Sequence, residues 1–164
     1  MTTAATKKEE IVRKKTIFEK KGAIAYLTIN NPEKANVMDA ECIQEMKAAY
    51  VDYWEDRNLR AMIVTGKGDR HFSAGHHIQP PPPGVTEEQQ RLEGIENFIW
   101  PKAGTVNGRR VAVFNGGEDF PQVWKPVIAA INGWAAGAGL YMTTTTTDIR
   151  IGCQEHARFF YAFT

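Results

Sequence analysis

An α/β fold is predicted for this chain, and three features of the sequence predict it. Thr16 to Glu19 and Ala23 to Ile29 are short apolar or β-branched runs separated by Lys20-Lys21-Gly22, the pattern of a β-hairpin with glycine in its turn. A helical period follows them. Two compact apolar runs, Ala61 to Thr65 and Val127 to Ile131, then have the length and flanking turn residues of buried strands, the first buried on both faces. Strand, strand, helix, strand is the order that results.

Each element has a local reason. Asn30-Asn31-Pro32 ends the hairpin's second strand, because proline has no N–H for the ladder. Asp39 caps a helix by accepting from free N–H groups of the first turn, and Ile43, Met46, Lys47 and Tyr50 recur behind it at helical spacing to about Trp54. Gly66 and Gly68 stop the next strand, and a glycine-bearing loop runs to Ile78. Pro80 to Pro83 is a stiff polyproline segment without donors for a sheet. From Gly84 to Val123 the pattern weakens, with a helical stretch near Glu87 to Phe98 and then a Gly- and Asn-rich region holding Arg109-Arg110. The region 79–124 reads as an insertion, with two accounts side by side: a lid over a site, or a disordered excursion.

Order returns at Lys125-Pro126. After the strand Val127 to Ile131 and the turn at Asn132-Gly133, Gly137-Ala138-Gly139 opens a helix whose small residues let it lie close to the sheet. Asp148-Ile149-Arg150-Ile151 is one more strand. The run Thr143 to Thr147 is unusual for a helix unless its hydroxyls bond back to earlier carbonyls.

The totals bound the function. A chain of 164 residues fits one domain, here 16–164 behind a lead-in at 1–15, with a composition 43% hydrophobic and 24% charged that suits an ordinary globular core. Twenty Lys and Arg against nineteen Asp and Glu leave +1, so no overall field draws in nucleic acid or an anionic membrane, and an anion must be bound locally. Lys7 to Lys21 interleaves acids with its lysines and reads as a solvated lead-in. Val127 to Met142 is too short and too interrupted for a membrane span, and the first residues have no apolar signal core. Two cysteines, Cys42 and Cys153, suggest neither a disulfide framework nor a cysteine-rich metal site, which fits a reducing cytoplasm. His71, His76 and His77 have no carboxylate spacing to complete a metal site, so none is expected. Phosphate-loop, dinucleotide and nucleophile-elbow patterns do not occur.

Several separated segments together resemble one family. They are Asn31-Pro32-Glu33-Lys34-Ala35-Asn36, Phe72-Ser73-Ala74-Gly75, Lys125 to Gly133, Ala136-Gly137-Ala138-Gly139, and Asp148 to Ile151 followed by Ala157-Arg158-Phe159. In this order they resemble the enoyl-CoA hydratase/isomerase, or crotonase-like, superfamily over about 16–78 and 125–163. The resemblance implies an α/β fold of the ClpP/crotonase type, a spiral of β-β-α units, with the C-terminal part of the family fold absent. It also implies an acyl-CoA thioester as partner, coenzyme A being part of the substrate with no separate cofactor, and assembly into a trimer or hexamer. Nucleic acid and membrane are not expected as partners.

The chemistry implied is enolate stabilisation by two backbone N–H groups. By position these belong to His76 and Ala138, with Lys34, Ala35, Asn36, Ser73, Ala74, Gly75, Ile78 and Gly137 around the thioester and coenzyme A. Elementary physics agrees, since glycine frees a tight loop beside a ligand and a helix start favours negative charge.

The chain departs from the family where the hydratases carry two glutamates: Tyr141 and Phe163 stand at those positions. Phenylalanine has no proton to exchange, and a phenol with its usual pKa near ~10 is a poor base at neutral pH. His76, His77 and Tyr141 are therefore the candidate acids or bases, each set against a plain packing or solvated role. Asp148 is expected to hydrogen-bond at a sheet end. Glu118, Asp119 and the Arg109-Arg110 pair have solvated readings beside catalytic or phosphate-binding ones. Trp100, Trp124 and Trp134 are expected as core or lid aromatics.

Overall fold

The computed structural model describes residues 8–77, 83–89, 91–92, 104–106, 109–111, 113–114, 118–121 and 123–161. They form two compact units, one from Met1–His76 with Val123–Thr164 and one from His77–Gln122. In the first unit β1 (Lys8–Val12), β2 (Thr16–Lys21) and β3 (Ile24–Ile29) precede helix α1 (Ala40–Glu55) and β4 (Ala61–Gly66). Gly22, with φ 62°, turns the hairpin between β2 and β3, and Phe18 pairs with Leu27 across it.

The lead-in is not merely solvated. Residues 8–12 pair antiparallel with β2, Ile11 opposite Phe18 and Val12 opposite Ile17, and so form the sheet's first edge. The charged run Lys7 to Glu10 concealed the strand, because an edge strand tolerates charged residues.

The large sheet has the order β1-β2-β3-β4-β10-β12, where β10 is Val127–Ile131 and β12 is Ile149–Gly152. Strands β3, β4, β10 and β12 run parallel. The expectation of burial on both faces fails for β4, where Met62 and Val64 are buried and alternate residues only half-covered; β10 alternates in the same way, with Val127, Ala129 and Ile131 buried. Helix α1 provides the cover on the buried side. Asp39 accepts from the Cys42 N–H at 2.9 Å, and Cys42, Ile43, Met46, Ala49, Tyr50 and Tyr53 turn inward.

A smaller sheet, unread in the sequence apart from its last strand, stands beside the first. Its order is β13-β11-β5, from Arg158–Phe160, Trp134–Ala136 and His71–Ser73, all parallel. Three-residue strands show no alternation long enough to detect. The two sheets repeat one move: β4 leads to β5, β10 to β11, and β12 to β13, each step shifting one strand sideways. Successive parallel windings make a spiral.

Helix α2 (Ala138–Thr145) leaves β11 through Gly137. Its threonines satisfy the sequence's condition: Thr143 Oγ1 donates to the Leu140 carbonyl at 2.7 Å, Thr145 to Tyr141 at 2.8 Å, and Thr147 to Thr143. Asp148 also behaves as expected, accepting from the Val127 N–H at 2.8 Å at the end of the sheet.

The second unit differs from the sequence reading. Residues 87–89 and 91–92 are helical, but the Gly- and Asn-rich region forms two short antiparallel pairs, β6 (Gly104–Val106) with β7 (Arg109–Val111) and β8 (Val113–Phe114) with β9 (Glu118–Asp119). Strands of two or three residues are too short to show an alternation in the sequence. Arg109-Arg110 thus lie on β7, and Glu118 and Asp119 form β9. Trp100 lies outside the described residues. Trp124 and Trp134 are not core: they are 78% and 51% exposed.

Candidate functional site

Three chain segments meet where the strands of the small sheet end. The first is the loop after β5. Asn36, fully buried and in the left-handed region at φ 53°, anchors it by donating to the carbonyls of Lys67 and His71 at 3.0 and 2.7 Å and accepting from the Asn31 N–H at 3.0 Å. Ser73 Oγ donates to the Asn36 carbonyl at 2.8 Å and accepts from the Gly75 N–H at 3.1 Å. The Ala74 N–H donates to the Ala35 carbonyl at 3.0 Å. Asn36 and Ser73 were expected around the ligand; their side-chain polar atoms are instead engaged within the fold.

The loop's last turn aims a donor. The Gly75 carbonyl accepts from the Met38 N–H at 2.7 Å. In a trans peptide the N–H of the next residue points the opposite way, so the His76 N–H is turned away from Met38. His76 itself is half-buried, with its Nε2 withdrawn from solvent, and forms a parallel bridge with Met38.

The second segment is the turn into α2. Gly137 has φ 49°, and its N–H donates to the Phe160 carbonyl at 3.1 Å. No side chain caps the helix, so its first N–H, on Ala138, lies in a turn with no i−4 partner. The two segments abut. A Cβ on Gly75, where φ is 96°, would lie 2.8 Å from the Ala136 oxygen and 3.0 Å from the Ala138 nitrogen. Gly139 is held equally tightly: a Cβ there would meet Ser73 Cβ at 2.8 Å. Glycine at these positions is what allows the helix start to press against the loop.

The third segment is the end of β13. Tyr161 follows Phe160, and its ring meets that of Tyr141 edge-on, with centroids 5.3 Å apart and planes at 65°. Burial, followed by a hydrogen bond with Tyr161, pushes the Tyr141 phenol up to about 12. Tyr141 is thus neutral at physiological pH. Sequence reasoning missed Tyr161, since an aromatic two residues after Arg-Phe carries no signal of its own.

Among the other expected residues, Lys34 is exposed at the end of the 3-10 turn Pro32–Lys34, Ala35 follows it with φ 52°, and Ala74 and His77 are exposed. Ile78 and Phe163 lie outside the described residues. An open cleft of about 370 Å³ lies at the other end of the small sheet, where its strands begin, lined by His71, Trp134, His156 and Arg158 among others. It is separate from the place where Gly75 meets Ala138.

Known proteins resemble this chain in sequence and fold. The enoyl-CoA hydratase/isomerase family's sequence model matches residues 19–164. The chain is 32% identical over 143 residues to a short-chain-enoyl-CoA hydratase of Clostridium acetobutylicum, covering 87% of this chain and 48% of that protein. It is 31% identical over 142 residues to a carnitinyl-CoA dehydratase of Citrobacter koseri, covering 87% and 46%. A crystal structure of an enoyl-CoA hydratase/isomerase from Mycobacterium paratuberculosis superposes with a TM-score of 0.61 at 30% identity, covering 90% of this chain and 48% of that one. The chain spans about half the length of the curated relatives it matches. With the family's model matching residues 19–164, the chain belongs to the enoyl-CoA hydratase/isomerase family.

Proposed function

We propose that the chain binds an acyl-CoA thioester by its carbonyl oxygen, between the backbone N–H groups of His76 and Ala138, and stabilises the enolate that forms there. The supporting observation is the packing of Gly75 so close to the helix start that an added Cβ would lie 3.0 Å from the Ala138 nitrogen, while the Gly75 carbonyl is tied to Met38 and the next N–H is aimed elsewhere. Two fixed donors at one oxygen favour the enolate over the thioester, because negative charge builds on that oxygen as the α-carbon loses a proton or accepts a nucleophile at its neighbour. Loss of one such donor costs about 2.7–4 kcal/mol of barrier stabilisation in comparable sites. Coenzyme A belongs to the substrate, and Lys34 and Ala35 stand on the loop that would border it. Double-bond hydration, isomerisation or lyase chemistry is the reaction class.

A second reading, thioester binding without turnover, is favoured by one observation. No Asp or Glu occurs among residues 73–77, 136–141 or 158–161, and the phenol held at about 12 is no base at neutral pH. His76 and His77 remain the titratable groups of the loop. Purified protein mixed with a panel of enoyl-CoA thioesters, with the enoyl absorbance followed and coenzyme A thioester binding measured by calorimetry, separates the two. Turnover supports the enzyme, binding alone supports the second reading, and binding of no thioester removes both.

A further inference from the structure

We propose that the open cleft at the entrance to the small sheet binds a nucleoside monophosphate, independently of the two amides at the sheet's other end. The cleft encloses about 370 Å³, within the range of roughly 300–1,000 Å³ that small-molecule sites occupy. A row of three side chains runs through it. Trp134 opens the central strand β11, and in register with it lie His71 on β5 and Arg158 on β13. Side chains in register on neighbouring parallel strands stand on one face, about 4.8 Å apart, and all three of these line the cleft. Trp134 is 51% exposed in the middle of that row, which leaves ring surface for a flat ligand to stack on.

The charges around the row do not neutralise one another. Asp69 and Arg70 lead into β5, and among the described residues neither side chain has an ion pair or a hydrogen bond. Glu155 meets His156 at 3.7 Å, and Arg158 spends its Nη1 on the Ala157 carbonyl at 2.8 Å, which leaves its Nη2 and Nε donors. This set fits three parts of one ligand. The indole stacks on a base, the guanidiniums of Arg70 and Arg158 hold a phosphate through charge-assisted hydrogen bonds, and the carboxylates of Asp69 and Glu155 accept from the base's N–H groups. An inorganic anion alone would be repelled by the carboxylates, and an uncharged ring alone would give the guanidiniums no acceptor. The chain's net charge of +1 draws anions only weakly, so selection rests on these local groups.

Titration with AMP, adenosine and inorganic phosphate tests the cleft, read by calorimetry and by quenching of tryptophan fluorescence. AMP should bind at least about tenfold more tightly than either fragment. Trp134→Leu should weaken AMP and adenosine alike by at least about fivefold and remove the quench, because stacking is lost for both. Arg158→Gln should weaken AMP about tenfold while adenosine stays within about twofold. General damage to the fold would weaken the two together, so this split identifies a phosphate contact. Gly75→Ala, at the other end of the sheet, should leave AMP affinity within about twofold. Absence of AMP binding, an affinity that neither Trp134→Leu nor Arg158→Gln alters, or binding abolished by Gly75→Ala overturns the assignment and leaves the two-amide reading standing.

Discussion

Asn36 ties β3's exit, the bend between the two sheets and the loop bearing Gly75 into one buried knot. Replacing it with alanine removes three side-chain hydrogen bonds, taking their partner from the Asn31 N–H and the Lys67 carbonyl, while the His71 carbonyl keeps Asn132 at 3.2 Å. Asn36→Ala is expected to cost about 2–4 kcal/mol, read as a lower urea midpoint with unchanged slope. Gly75→Ala acts differently. At φ 96° and with Ala138 N 3.0 Å from the new methyl, it should part the loop from the helix and weaken thioester binding at least about tenfold, measured calorimetrically. The tyrosines give a pH dependence. Burial raises Tyr53 from 10.0 to about 12, so folding favours its neutral form. That contribution is complete below pH 10 and is lost as pH rises from 10 towards 12, where the unfolded chain ionises first. Urea unfolding at successive alkaline pH values should show the loss, and Tyr53→Phe should reduce it. At this scale the sequence exposed the backbone donors through their glycines, but not what Asn36 and Ser73 do: their hydrogen-bond partners lie up to 37 residues away, so their use is decided by tertiary contact.

Helix α1 shows how far an element is legible. Its start was readable from Asp39, since a cap is a local contact. Its end, expected at about Trp54, falls at Glu55, but the group that completes it was not readable, because it is Lys125, whose Nζ donates to the Tyr53 and Asp56 carbonyls at 2.9 and 2.7 Å. The ammonium also sits 5.2 Å from the Tyr53 ring centre, and burial draws its pKa down. Positive charge at a helix C-terminus satisfies open carbonyls and opposes the dipole. Lys125→Met should cost about 1–2 kcal/mol in chemical denaturation, without altering thioester affinity. The strands of the large sheet were visible as apolar runs of five or six residues. Those of the small sheet, apart from the Arg158-Phe159 run carried by the resemblance, were not, since three residues show no period, and β1 was masked by the charges at its start.

Across the whole molecule the family and its α/β spiral were readable because the matching segments occur in order, whereas the strand pairs of 104–119 came from a region with no periodic pattern. Apolar side chains gather on the last winding. Ile149 and Ile151 of β12 are 50% and 60% exposed, and Phe159, Phe160 and Tyr161 at β13 are 56–59% exposed. Both strands end their sheets, so open backbone and apolar area coincide. The 164-residue chain should therefore associate with itself as concentration rises, and Ile151→Lys should shift sedimentation towards the smaller species.

The sideways march of the windings also ranks their resistance to opening. β4 has a paired neighbour on each side, whereas β12 and β13 have one each. β1 and β5 likewise have one, so deuterium from solvent should enter the amides of these four edge strands before those of β3, β4 and β10.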